Sequence, residues 1–333
     1  MKRLIPLLFL GVILSFTACR SGEYRKSTFT VFGTISNVTY ESPGNIDLQH
    51  GIDSVLNRVN YSLSPFVEGS IVSQINRNES VLLDDYFIEV YLEAKRFSVL
   101  TSGAFDITVG PLVNEWGFGT EKDHTLKDHN SARIDSIMHY VGFEKVGLMR
   151  DSIVKRHPEM KLDFSSVAKG YAVDKVGEYL ASKGCKNYLV DIGGEVQTKG
   201  YSPSGKEWRV GVSKPIEQNF DDSEVQEILS ISNKALATSG NYRNFYIQDG
   251  VKYAHTIDPR TGYPVQSRLL SATVLAESCM EADAASTACM VLGLEKSIEF
   301  IEMLAGVEAY FVYSEGTDYA VYYTDGFRKY IQR

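Results

Sequence analysis

Asp283 and Thr287 stand four residues apart in Met280-Glu281-Ala282-Asp283-Ala284-Ala285-Ser286-Thr287, a run with helical composition, so a carboxylate and a hydroxyl share one helix face a turn apart. Two hard oxygens so placed suit magnesium, which prefers oxygen ligands, keeps several waters and accepts phosphate oxygens from a substrate. A threonine bonded back to its own helix beside a solvated aspartate fits the same spacing. In Asp163-Phe164-Ser165-Ser166-Val167-Ala168-Lys169-Gly170 a carboxylate and an ammonium flank a helix start, where unpaired N–H groups and the dipole favour anions. Lys169 there can meet a phosphate, or lie on the surface beside a capping turn. His255 precedes the turn Asp258-Pro259-Arg260-Thr261-Gly262; an imidazole with an ordinary pKa of about 6.5 can act as a general base near neutrality or hydrogen-bond within a core. Thr101 to Val113 joins a helix stop, small residues, Phe105 and Asp106 ahead of a segment expected to be extended, a loop that can admit a flat ring or serve as a structural turn.

The elements that position these residues follow from periodicity. Phe29 to Tyr40 alternates as a strand, and Ile52, Val55, Leu56 and Val59 recur at helical spacing. Asp84 can cap a helix that buries Phe87, Val90, Ala94 and Phe97 and stops at Gly103, so strand and helix are expected to alternate in the first half. A helix opening near Ser165 or Ser166 reaches Gly184, followed by a strand from Asn187 to Ile192 and a Gly193-Gly194 turn. Turns at Ser202-Pro203-Ser204-Gly205, Asp249-Gly250, Asp258 to Gly262 and Asp325-Gly326 then punctuate short Tyr- and Val-rich runs, the mark of antiparallel hairpins, with one helix pair from Cys279 to Gly306 among them. The pattern predicts an α+β fold with mixed or antiparallel sheets flanked by helices.

Composition narrows the function. The chain has 333 residues, 44% hydrophobic and 23% charged, with a net charge of −8, enough apolar content for a substantial core and too acidic for a polyanion-binding surface. No nucleic-acid partner is expected, and a phosphate ligand needs a metal ion rather than a basic patch. Lys2-Arg3, an apolar run from Leu4 to Leu14 too short to span a bilayer, and Ser15-Phe16-Thr17-Ala18-Cys19 have the layout of an export signal. The small residues before Cys19 resemble a bacterial lipobox, which makes that cysteine the lipid-bearing N-terminus; a plain cleaved signal with an incidental cysteine is the alternative. The expected organisation is a leader over 1–18, a linker over 19–28 and one domain over 29–333, exported and held by its lipid on a membrane facing the periplasm. Cys185, Cys279 and Cys289 have neither disulfide nor zinc spacing and read as buried apolar residues.

Taken in order, Phe32-Gly33-Thr34, Gly103-Ala104-Phe105-Asp106, the Asp163 to Asp174 segment, Asp191-Ile192-Gly193-Gly194, Ala237-Thr238-Ser239-Gly240, His255 to Gly262 and the Ala282 to Thr287 helix resemble the ApbE family, the FAD:protein FMN transferases. The resemblance implies FAD in a cleft between the parts of the fold, with Mg²⁺ at its pyrophosphate. It implies Asp283, Thr287 and a main-chain carbonyl at Ser166 as metal ligands. Phe32, Phe66, Ala104, Phe105, Asp106, Asp163, Lys169 and Ile257 would be flavin-nucleotide contacts, and His255 the base that assists an attacking hydroxyl. Where the family reads Met-Gly-Thr this chain has Phe32-Gly33-Thr34, and where it supplies a ring-stacking Tyr the chain has Ser64-Pro65-Phe66. The implied acceptor is a Ser or Thr on a subunit of a membrane redox complex, such as the sodium-pumping quinone reductase or an Rnf-type complex. A magnesium-dependent FAD pyrophosphatase and a lipoprotein that only binds flavin are the competing expectations.

Overall fold

The computed structural model describes residues 22–119, 131–214, 225–242, 244–248, 250–316 and 318–332; the expected leader, Cys19 and Asp249 lie outside the described residues. The described chain opens on a hairpin of β1 (Glu23–Val31) and β2 (Thr34–Ser42). Its turn residues, Phe32 and Gly33, have φ of 52° and 73°, the left-handed pair whose twist matches that of the flanking strands. The expected strand from Phe29 to Tyr40 is therefore two strands. The second half of the expected linker is β1 itself, with Glu23 opposite Ser42. Its charged and hydroxyl residues suit an edge strand with a solvated face, which is why they read as a linker.

Among the described residues five helices follow in place of the expected alternation: α1 (Gln49–Leu63), α2 (Ile71–Asn76), α3 (Asp85–Leu100), α4 (Gly110–Glu115) and α5 (Ser131–Met138). Asp84 caps α3 by accepting the Phe87 N–H at 2.9 Å, and Phe87, Val90, Ala94 and Phe97 form its buried face. The segment after Asp106, expected to be extended, is helical instead. Asp106 caps a 3-10 turn at Ile107–Val109, and Pro111 sits in the first turn of α4, where its missing N–H removes no helical bond.

The remaining elements are β3 (Val146–Met149), β4 (Ser152–Lys155), α6 (Ala168–Ser182), β5 (Tyr188–Ile192), β6 (Glu195–Lys199), β7 (Trp208–Ser213), β8 (Val225–Ile231), β9 (Ala235–Gly240), β10 (Phe245–Gln248), β11 (Val251–Ala254), β12 (Leu269–Ala276), α7 (Cys279–Leu292), α8 (Leu294–Glu302), β13 (Glu308–Glu315) and β14 (Asp318–Tyr323). Eight strands form one sheet in the order β1-β2-β5-β6-β9-β12-β13-β14, each antiparallel to its neighbours, while β3-β4, β7-β8 and β10-β11 are separate ribbons. The α+β expectation holds.

Strand alternation sends Ala235, Ala237, Val274 and Ala276 to the main core beneath α6 and α7, and Leu236, Leu275, Tyr310 and Val312 to a second core closed by β7, β8 and Phe327. Helix α7 is packed almost all round, with Ala282, Ala284, Ala285 and Ala288 fully buried. Small residues let it approach α6, and a Cβ on Gly170 would strike the Cys279 carbonyl. A third cluster of Leu112, Trp116, Ile134, Val141 and Ile257 lies under α4 and α5. Cys185, Cys279 and Cys289 are buried free thiols. Among the described residues no helix is long and apolar enough to cross a membrane.

Candidate active site

A cleft of about 1140 Å³ runs between the helical layer, the α4 loop and the sheet. This exceeds the roughly 300–1,000 Å³ of ordinary small-molecule pockets and gives room for a dinucleotide. Every candidate metal, flavin-nucleotide or catalytic residue named from the sequence lines it.

One wall is the α7 face. Asp283 is 3% exposed; its Oδ2 accepts the Gly170 N–H at 2.9 Å, while Oδ1 accepts no hydrogen bond among the described residues. Burial raises the Asp283 carboxyl above its usual range, opposed by the nearby Lys169 ammonium and the Gly170 N–H. One turn on, Thr287 Oγ1 lies 3.2 Å from Ser239 Oγ, itself 2.9 Å from Ser286 Oγ. A carboxylate oxygen left without a protein donor beside a hydroxyl, both on the cleft wall, is a donor set that fits a small hard cation.

The start of α7 is anchored from α6. Asp174 accepts the N–H groups of Cys279 and Met280 at 2.8 Å each and the Gln197 side-chain amide at 2.9 Å. Burial pushes its carboxyl up to about 7 in spite of those donors. The first turn of α6 supplies Lys169, whose ammonium pairs with Glu195 at the head of β6. Burial alone would lower the Lys169 pKa, but Glu195 and Asp283 more than offset it, so the lysine stays charged. Burial drives the Glu195 carboxyl upward and Lys169 pulls it back.

The loop before α6 carries Asp163 and Ser166 to the cleft. Asp163 is fixed at both ends, its N–H bonded to the Ile107 carbonyl at 2.8 Å and its Oδ1 accepting the Ser165 N–H at 2.8 Å. Asp106 is taken up by protein donors: Oδ1 accepts the Thr108 N–H and hydroxyl at 2.7 Å each, and Oδ2 the Phe143 N–H at 2.7 Å. Its carboxylate thus frames the Ala104-Phe105 turn.

On the opposite side, the His255 N–H and Nδ1 both lie 3.1 Å from the Asn244 carbonyl. The tautomer that donates Nδ1–H to that carbonyl leaves Nε2 as an acceptor. Burial, and to a smaller extent the Lys169 charge, lower the His255 pKa, with the Asn244 carbonyl opposing, so the imidazole is neutral at neutral pH. The ring meets Phe118 edge-on at 6.3 Å. Ile257 is buried beside it and bridges to Pro264. At the rim stand Phe32, on the β1-β2 turn, and Phe66, 68% exposed in the loop after α1.

Sequence reasoning missed Glu195, Asp174, Ser239 and Phe118. Glu195 directly follows the Gly193-Gly194 turn, Ser239 falls in the Ala237 to Gly240 run and Asp174 closes the Asp163 to Asp174 segment, so these three had a local signal; Phe118 had none.

A sequence profile of the ApbE family matches residues 32–311, most of the chain. The chain belongs to the ApbE family. It is 38% identical over 304 residues to the FAD:protein FMN transferase of Vibrio cholerae, covering 89% of this chain and 90% of that protein. It is 31% identical over 311 residues to the FAD:protein FMN transferase of Escherichia coli, covering 91% and 87%. Among solved structures, the flavin transferase ApbE from Vibrio cholerae superposes with a TM-score of 0.84 at 36% identity over 92% of this chain and 99% of that one. The ApbE protein from Thermotoga maritima gives 0.81 at 29% identity over 93% and 100%.

Proposed function

We propose that this protein is a magnesium-dependent FAD:protein FMN transferase that attaches FMN to a Ser or Thr hydroxyl of an acceptor and releases AMP. As an ApbE-family transferase it passes FMN from FAD to a target protein. The observation that carries the finer reading is one cleft holding a hard-oxygen pair on α7, a charged lysine and a neutral histidine.

Bound Mg²⁺ supplies neutralisation of charge on the two phosphates of FAD. Asp283 and Thr287 would hold it, with a carbonyl at Ser166. Lys169 presents an ammonium to a phosphate oxygen, kept charged by its acidic neighbours. His255 accepts the proton of the acceptor hydroxyl at Nε2 while the Asn244 carbonyl holds the other ring nitrogen. The hydroxyl oxygen bonds to the FMN-side phosphorus, the bond from that phosphorus to the bridging oxygen breaks, and AMP leaves. Phe32 and Phe66 contact the flavin ring at the rim.

The acceptors in this reading are subunits of membrane redox complexes such as the sodium-pumping quinone reductase or Rnf-type complexes. The protein meets them on the periplasmic side, anchored by lipid on Cys19; Lys2-Arg3, the Leu4 to Leu14 run and the small residues before Cys19 support that placement. Incubation with FAD, Mg²⁺ and a candidate acceptor is the test, read by intact mass of the acceptor and chromatography of nucleotides. The acceptor gains the mass of FMN less one water as AMP appears. Free FMN and AMP with an unmodified acceptor would turn the reading into FAD hydrolysis.

A further inference from the structure

Glu195 enters the steps above only as a neighbour that keeps Lys169 charged, yet it is 3% exposed and lines the cleft. Its Oε1 accepts the Lys169 ammonium, while Oε2 is buried and has no hydrogen-bond partner. It is the one carboxylate oxygen in that condition among the described residues. A buried carboxyl oxygen left unsatisfied is costly, and proteins leave such groups chiefly where something else completes them. The surroundings hold it in place. Glu195 starts β6 directly after Gly193 and Gly194, whose φ values of 68° and 101° belong to a turn at the cleft. Lys169 from α6 and Asp283 from α7 are close enough to act on its charge. Lys169 is saddled with two acids, and neither it nor Asp283 gives Oε2 a donor.

We propose that Glu195 is a ligand-binding residue whose Oε2 accepts a hydrogen bond from an O–H group brought into the cleft. Two sources share that chemistry: a water in the shell of the cation at Asp283 and Thr287, and a hydroxyl of the dinucleotide. The first rests on the metal assignment above; the second does not. A donor at Oε2 also favours the ionised carboxylate, which strengthens the hold on Lys169 when the ligand is present. Ligand and lysine then settle together.

The test uses Glu195→Gln in the full chain, an isosteric change, with two binding readouts. Mn²⁺ affinity is measured by electron paramagnetic resonance without FAD, and FAD affinity by fluorescence in EDTA. Outer-shell partners of a metal typically contribute 10–100-fold in affinity, so a loss of roughly tenfold or more is expected for Mn²⁺ if the donor is a metal-bound water, and for FAD in EDTA if it is a hydroxyl. Either loss supports the proposal and names the source. Both affinities within about twofold of wild type overturn it. If Asp283→Ala binds Mn²⁺ as wild type does, the metal assignment fails on its own and the FAD measurement decides the role of Glu195. Should Glu195→Gln not fold, Glu195→Asp keeps the charge and loses the reach, and the same losses are expected.

Discussion

The α7 wall and the aromatic rim of the cleft are built on opposite principles. Asp283 is buried and bonded to Gly170, its helix is closed at the start by Asp174 and Ser278, and Ala282, Ala284, Ala285 and Ala288 of that helix are fully buried. Phe66 stands 68% exposed on a loop, and Phe32 occupies a two-residue turn. Groups that meet developing charge must be held to fractions of an ångström, and regular elements with buried anchors do this. Groups that cover a flat ring act through area and tolerate looser support. The difference predicts that damage to the wall falls on turnover and damage to the rim on affinity.

The largest effect should come from breaking the wall at its charge. Asp283→Ala is expected to abolish Mg²⁺-dependent transfer across a Mg²⁺ titration, while full activity in chelator-treated samples would remove Asp283 from the mechanism. Next is His255→Ala, expected to lose two to four decades of transfer while still binding FAD. Burial lowers the His255 pKa, so if its neutral form is the base, kcat/KM in the wild type should fall as pH drops through a value below the ordinary 6.5 or so. An acid limb centred above that value would contradict the assignment.

Asp174 sharpens the comparison, since it supports the wall from behind without facing the substrate. Its folded pKa of about 7 lies above the ordinary carboxylate value of about 3.9, so the native state binds the proton more tightly than the unfolded chain. That contribution is full below about pH 4 and is lost as pH rises through about 7. Asp174→Asn has no such titration, so the stability of wild type relative to the variant should decline between pH 4 and 8, by on the order of a few kcal/mol in denaturant melts. A flat or rising difference would mean that the capping bonds to Cys279 and Met280 outweigh burial.

The smallest effect belongs to the rim. Phe66→Ala should weaken FAD binding by about 1–2 kcal/mol, and Phe66→Tyr should be close to neutral, because the contact is through the ring face. ADP-ribose, which lacks the flavin, should bind Phe66→Ala and wild type alike; equal weakening of both ligands would show that Phe66 acts on the nucleotide or the fold.

What was legible in the sequence was whatever is encoded within a few residues. The i, i+4 spacing placed Asp283 and Thr287 on one face, Asp84 marked its helix, and the Asp258 to Gly262 turn set off His255. Contacts made across the chain were not legible. Asp174 reaches Cys279 over 105 residues and Glu195 reaches Lys169 over 26, so the motif beside each acid was legible but its distant partner was not. The hairpin at Phe32-Gly33 escaped notice because the charges on β1 are those of a solvated edge. The segment after Asp106 was expected to be extended because the helical turn there depends on Asp106 as its cap, and Asp106 is itself held by Phe143, 37 residues away.

The most direct test sets Thr287→Ala beside Phe66→Ala in single-turnover transfer at saturating FAD. The wall-and-rim account predicts that Phe66→Ala transfers FMN at close to the wild-type rate, while Thr287→Ala is slow and recovers in part as Mg²⁺ is raised. A slow Phe66→Ala at saturating FAD, together with a Thr287→Ala that is fast and indifferent to Mg²⁺, would contradict it.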